Sequence, residues 1–135
     1  MKYLLISLFL AGAVPAMAQT AGPDKDIRLQ TPAELVATAA QLEQAVMTQP
    51  KNVELHIKLG FTYTRLGRAD DAQRSFENAV SLDPKRAIAH YMLGLIYEKK
   101  GLKDKAIAAW KACLETAVDP HMRETALKHL TNLTH

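Results

Sequence analysis

An all-α fold of stacked helix pairs follows from three observations. The stretch Leu59-Gly60-Phe61-Thr62-Tyr63 returns 34 residues later as Leu93-Gly94-Leu95-Ile96-Tyr97, and a fixed period of this length marks a stacked repeat architecture. The neighbourhood returns with it: His56 matches His90, Gly67 matches Gly101, Asp70 matches Asp104, Ala72 matches Ala106, Phe76 matches Trp110 and Ala79 matches Cys113. Between these landmarks apolar residues recur at helical spacing, punctuated by glycine and proline.

Residues 1–18 read as a signal peptide. Met1-Lys2 supplies a basic start, Tyr3 to Val14 is an almost unbroken apolar run, and Ala16-Met17-Ala18 is a small-x-small cleavage site before Gln19. The run is shorter than the roughly 20 apolar residues that a bilayer span needs, so no membrane span is expected after cleavage. The expected location is the periplasm or the outside of the cell. No cysteine follows the cleavage site, which argues against an acylated lipoprotein. Residues 19–30 carry only Ile27 and Leu29 as larger apolar groups, too few to offset the entropy of ordering, and read as a flexible leader.

The remaining residues, 31–135, form one domain on this reading. Residues 31–49 give a first helix: Thr31 caps it, Pro32 suits its first position, Glu34 reaches back to the cap amide, and Pro50 ends it. Leu35, Ala39, Leu42, Ala45 and Val46 form its apolar face. The first full repeat covers 53–86, with one helix from Glu54 to Leu66 closed by Gly67 and a second from Ala69 to Leu82 before Pro84. The second covers 87–120, with helices from Ile88 to Lys100, closed by Gly101, and from about Lys103 to Ala117. Asp119-Pro120 opens a capping helix over 119–133, with Ala126, Leu127, Leu130 and Leu133 as its apolar stripe. Gly60 and Gly94 sit in mid-helix, where glycine costs about 1 kcal/mol against alanine, so each predicts a helix approaching too closely for a side chain.

The succession His56, Leu59-Gly60, Tyr63, Gly67, Ala72, Phe76, Ala79 and Pro84, echoed by His90, Leu93-Gly94, Tyr97, Gly101, Ala106, Trp110 and Cys113, resembles the tetratricopeptide repeat. It departs from that pattern where histidine stands for tryptophan at 56 and 90, and where Val118 replaces the second terminal proline. Residues 31–49 look like the second half of a preceding unit, giving about two and a half repeats plus a cap. The resemblance implies a helix-pair superhelix whose concave groove binds a peptide or helix of a partner protein. Carried over by position, the groove residues are Glu54, Ile57, Phe61, Thr64 and Arg65 in one unit and Ile88, Tyr91, Leu95, Glu98 and Lys99 in the next. Ile57 and Phe61 stand where a carboxylate clamp would need polar residues, which disfavours a chaperone-tail receptor.

Other chemistries find little support. Loss of Lys2 with the signal would leave 16 basic and 14 acidic residues, a net charge of +2, and no Lys/Arg block of the kind that meets nucleic acid occurs. His56, His90, His121, His129 and His135 show no ligand spacing; the first two read as half-buried packing residues and the last three as solvated. No motif marks an activated nucleophile or a paired acid and base. Cys113 stands alone and reads as a small buried residue. The expectation is a non-enzymatic adaptor without metal or cofactor. The alternative is a self-associating subunit of an envelope assembly.

Overall fold

The computed structural model describes residues 25–135, and among them six α-helices and one 3-10 turn occur with no strand. The helices are α1 (Pro32–Thr48), α2 (Val53–Arg65), α3 (Ala69–Leu82), α4 (Ala87–Lys99), α5 (Lys103–Thr116) and α6 (Pro120–Thr134). Each packs on its successor, and the tightest associations are α2 on α3 and α4 on α5. These two pairs are the repeats. Helix α1 precedes the first pair and α6 follows the second. The expected signal peptide, and residues 19–24 of the expected leader, lie outside the described residues.

Local chemistry sets the helix ends. Thr31 Oγ1 accepts from the Glu34 amide at 3.3 Å while Glu34 Oε2 accepts from the Thr31 amide at 2.7 Å, which satisfies two donors at the start of α1. Asp119 accepts from the amides of His121 and Met122 at the start of α6. Gly67 and Gly101 adopt φ of 71° and 72°. That turn lets Arg68 N donate to Tyr63 O at 2.9 Å and Leu102 N to Tyr97 O at 2.8 Å, so the last carbonyls of α2 and α4 are not left unpaired.

The two mid-helix glycines do admit a close neighbour. A Cβ on Gly60 would lie 2.7 Å from Phe76 Cζ, and one on Gly94 would lie 2.5 Å from Trp110 Cε2. Phe76 and Trp110 are both fully enclosed, as are Ala72, Ala79, Ala106 and Cys113 beside them. Aromatic rings thus cross bare backbone, and small residues let α3 and α5 approach their partners.

Polar contacts repeat at the same period. Tyr63 donates its hydroxyl to Glu43, and Tyr97 donates to Glu77 at 2.6 Å, so each pair is tied to the helix before it. His56 and His90 each place Nε2 at 2.7 Å from the carbonyl of Pro50 and Pro84, and His56 is buried rather than half-buried. Lys100 reaches back to Asp70 and Gln73, both at 2.5 Å.

Two local expectations change. Lys25–Gln30, expected within a flexible leader, form the 3-10 turn Ile27–Leu29 and are tied to α1: Lys25 Nζ pairs with Glu34 at 2.8 Å, and Thr38 Oγ1 donates to Gln30 Oε1 at 2.8 Å. Polar contacts do here what apolar burial could not. Leu127, expected in the apolar stripe of α6, is 55% exposed, because α6 buries Ala126 and Leu130 against α5 with Met122 and Leu133 alongside.

Two outcomes test this packing. Gly94→Ala gains about 1 kcal/mol of helix propensity but forces a methyl into a buried indole, so a net loss of about 2 kcal/mol is expected in urea unfolding; unchanged stability would mean that the close approach is not required. The second test is alkaline. Burial, reinforced by the bond to the Glu43 carboxylate, pushes the Tyr63 hydroxyl up to about 12 from 10, and burial with Glu77 pushes Tyr97 up as well. Because the folded state favours the neutral phenol, this stabilisation is complete below pH 10 and is lost as the pH rises through 12. Tyr63→Phe should flatten the fall by about 2 kcal/mol, and parallel pH profiles for the variant and the parent would contradict the assignment.

Candidate partner-binding surface

Because α2 and α4 are equivalent helices, residues 34 apart occupy the same side of each. Phe61 therefore matches Leu95, Ile57 matches Tyr91, Thr64 matches Glu98 and Arg65 matches Lys99. The ten candidates do not share one environment. Ile57 is only 5% exposed and belongs to the core, so it is not available to a partner. At the same place in the next unit Tyr91 is longer, stays half-buried and sets its ring at 88° to Trp110, 5.2 Å between centroids. Phe61 is likewise half-buried, edge-on to Phe76 at 5.3 Å. Ile88 is half-buried against the core, and Leu95 is 36% exposed.

The polar candidates also divide. Thr64 is exposed, with its hydroxyl donating to Gly60 O at 2.8 Å. Arg65 is exposed and donates to the Arg28 carbonyl at 3.4 Å, while Lys99 extends into solvent. Glu54 is paired with Arg86, whose guanidinium holds the Glu54 carboxyl below its ordinary range.

Glu98 is not directed outwards as expected. Its Oε2 accepts from Trp110 Nε1 at 2.9 Å and lies 2.6 Å from His129 Nδ1. The His129 ring stacks on Trp110 at 4.4 Å and 14°, so His129 is a fastening residue of α6 rather than a solvated one. One sequence signal could have found this. Trp110 stands where the first unit has Phe76 and brings a buried N–H that needs an acceptor; Glu98, at the place of Thr64, supplies it. His121 and His135 are exposed, as expected.

No group of three or more His, Cys, Asp or Glu side chains is arranged to hold a metal ion among the described residues. Cys113 is fully enclosed, and burial pushes its thiol up, away from the reactive thiolate. No helix among them is long and apolar enough to cross a membrane. What the α2–α4 face offers is half-open aromatic and aliphatic surface with two cations beside it.

Residues 57–117 match the family model of the tetratricopeptide repeat. This part of the chain belongs to that family. The match spans most of both helix pairs, and the tetratricopeptide fold is the all-α repeat described above. No curated protein matches the sequence. Among solved structures, the crystal structure of MamA aligns over 76% of this chain and 88% of that one, at 21% identity and a TM-score of 0.33; a likeness of that size carries no argument here. Tetratricopeptide repeats in general mediate protein–protein interaction and scaffolding.

The fastening of α6 is testable through the single tryptophan. His129→Ala removes a stacked ring and a partly buried contact to the Glu98 carboxylate, so a loss of about 1 kcal/mol is expected, with a red shift of Trp110 emission as water reaches the indole. An unshifted spectrum and an unchanged unfolding midpoint would remove His129 from this role.

Proposed function

We propose that this protein is a non-enzymatic interaction module of the bacterial envelope, exported through residues 1–18 and working in the periplasm or outside the cell. It binds a peptide or helix of a partner protein on the α2–α4 face. The observation that carries this reading is that Phe61, Tyr91 and Leu95 remain partly exposed on equivalent sides of two stacked helices, although each touches or adjoins the core. Partly exposed apolar groups side by side mark interaction surfaces. Burial of partner side chains against them supplies affinity, and Thr64, Arg65, Ile88 and Lys99 border them. The leader and its cleavage pattern, Met1-Lys2 and Ala16-Met17-Ala18, support the location.

A second reading rests on the two terminal helices. Val36 and Met47 on α1 are 59% and 74% exposed, and Val118 and Leu127 around α6 are 93% and 55% exposed. These positions suit self-association into an envelope assembly. A mass by light scattering that rises with concentration supports that reading, and a constant monomer mass opposes it.

The groove reading is tested by capture from envelope extract with tagged protein, comparing the parent with Phe61→Ala/Tyr91→Ala. A partner recovered by the parent and lost at least about tenfold in the double variant, with an unchanged circular-dichroism spectrum, is the expected result. Equal recovery by both would move the contact off this face.

A further inference from the structure

The charges of the α2–α4 face are unevenly engaged. Its two carboxylates are both turned to partners inside the protein: Glu54 to Arg86, and Glu98 to the Trp110 indole and His129. Its cations are not. Arg65 and Lys99 hold the same register on successive units, both are exposed, and neither enters an ion pair among the described residues. Lys58, two turns before Arg65 on α2, is also exposed and makes no ion pair there, though it lies near enough to Glu54 to help hold that carboxyl down. Elsewhere among the described residues the cations are divided: Lys25, Arg28, Arg68, Arg74, Arg86 and Lys100 meet carboxylates, while Lys51, Lys85, Lys103, Lys105, Lys111, Arg123 and Lys128 enter no ion pair. On this face, then, the acids are engaged within the protein and the cations beside the half-open apolar groups are not.

We infer that the occupant of this face is a short acidic segment of a partner protein, in which large apolar side chains meet Phe61, Tyr91 and Leu95 while flanking Asp or Glu carboxylates meet Arg65 and Lys99. The inference rests on the groove reading above and adds the chemistry of the ligand. A basic segment would face three like charges and find Glu54 and Glu98 already engaged. A neutral one would leave the cations unmatched. Arg65 brings a planar fork suited to a carboxylate, whereas Lys99 acts as a point charge. Such rim charges select the partner and speed its approach more than they deepen the final affinity. The apolar groups supply the rest.

The test uses fluorescence anisotropy with the purified protein and two labelled ten-residue peptides. Both contain two leucines and a phenylalanine; one carries Asp and Glu at its other positions and one carries Lys. The acidic peptide should bind about tenfold or more tightly than the basic one, and its affinity should fall about tenfold between 50 and 500 mM NaCl as screening shortens. Arg65→Glu/Lys99→Glu should lose about tenfold at low salt and converge with the parent at high salt. Arg65→Gln/Lys99→Gln, which removes charge without reversing it, should fall between them. Phe61→Ala/Tyr91→Ala should lose the peptide at every salt concentration. If that last variant loses binding while the charge variants or the basic peptide behave as the parent and the acidic one do, the groove stands and the acidic assignment falls. Binding that ignores Phe61→Ala/Tyr91→Ala removes both. Absence of binding by the acidic peptide, or tighter capture of a single-stranded oligonucleotide with the same salt dependence, overturns the inference.

Discussion

The packing of an aromatic ring across bare helix backbone is the contact on which the rest depends. Phe76 lies over Gly60 and Trp110 over Gly94, each with no room for a Cβ between. This closeness brings α3 onto α2 and α5 onto α4, and it lets Ala72, Ala79, Ala106 and Cys113 be fully enclosed. A helix alone would be weakened by its glycine; the pair gains an enclosed aromatic side chain in exchange, a larger stabilisation. The same rings reach through to the outer face. Phe76 supports the edge of Phe61, and Trp110 supports Tyr91 and His129. Core and candidate site are therefore opposite sides of the same two aromatic residues.

Helix limits were legible because their determinants are local. Thr31 with Glu34, Asp119 with Pro120, and glycines at 67 and 101 act within one turn of chain, so single-sequence reasoning places them closely. The glycine contacts were legible too, because a costly residue recurring at one period has to serve packing. Polar ties between units were not. The pairings Tyr63–Glu43 and Tyr97–Glu77 carry the same period as the repeat, but period alone does not say which side chain a phenol meets.

The site was less legible than the fold for a related reason. Positional equivalence tells which side of a helix a residue faces, whereas exposure depends on how large that residue is and what stands opposite. Ile57 and Tyr91 share a position, yet the shorter chain is covered and the longer one emerges. Glu98 shares a position with Thr64, yet its carboxylate turns to the indole N–H and to His129. His129 read as solvated because its stacking partner is supplied by α5, far away in sequence. Lys25–Gln30 read as unstructured because apolar content was the criterion, while the turn is held by Glu34, Thr38 and Asp26.

These departures from repetition, rather than the repeat itself, give the face its character. Residues that agree between the units, such as the glycines, the tyrosines at 63 and 97 and the alanines, are used up in stacking. On the α2–α4 face the residues that differ form a graded surface: phenylalanine and a hydroxyl on α2, tyrosine, leucine and an engaged carboxylate on α4. Arg65 and Lys99 put an exposed cation at the same point of both units with no acid among the described residues paired to it, as Lys51 and Lys85 do in the loops ahead of α2 and α4. What sets Arg65 and Lys99 apart is their place beside half-open aromatic rings, where a ligand that meets their charge and also covers Phe61 and Tyr91 removes apolar surface from water in the same step.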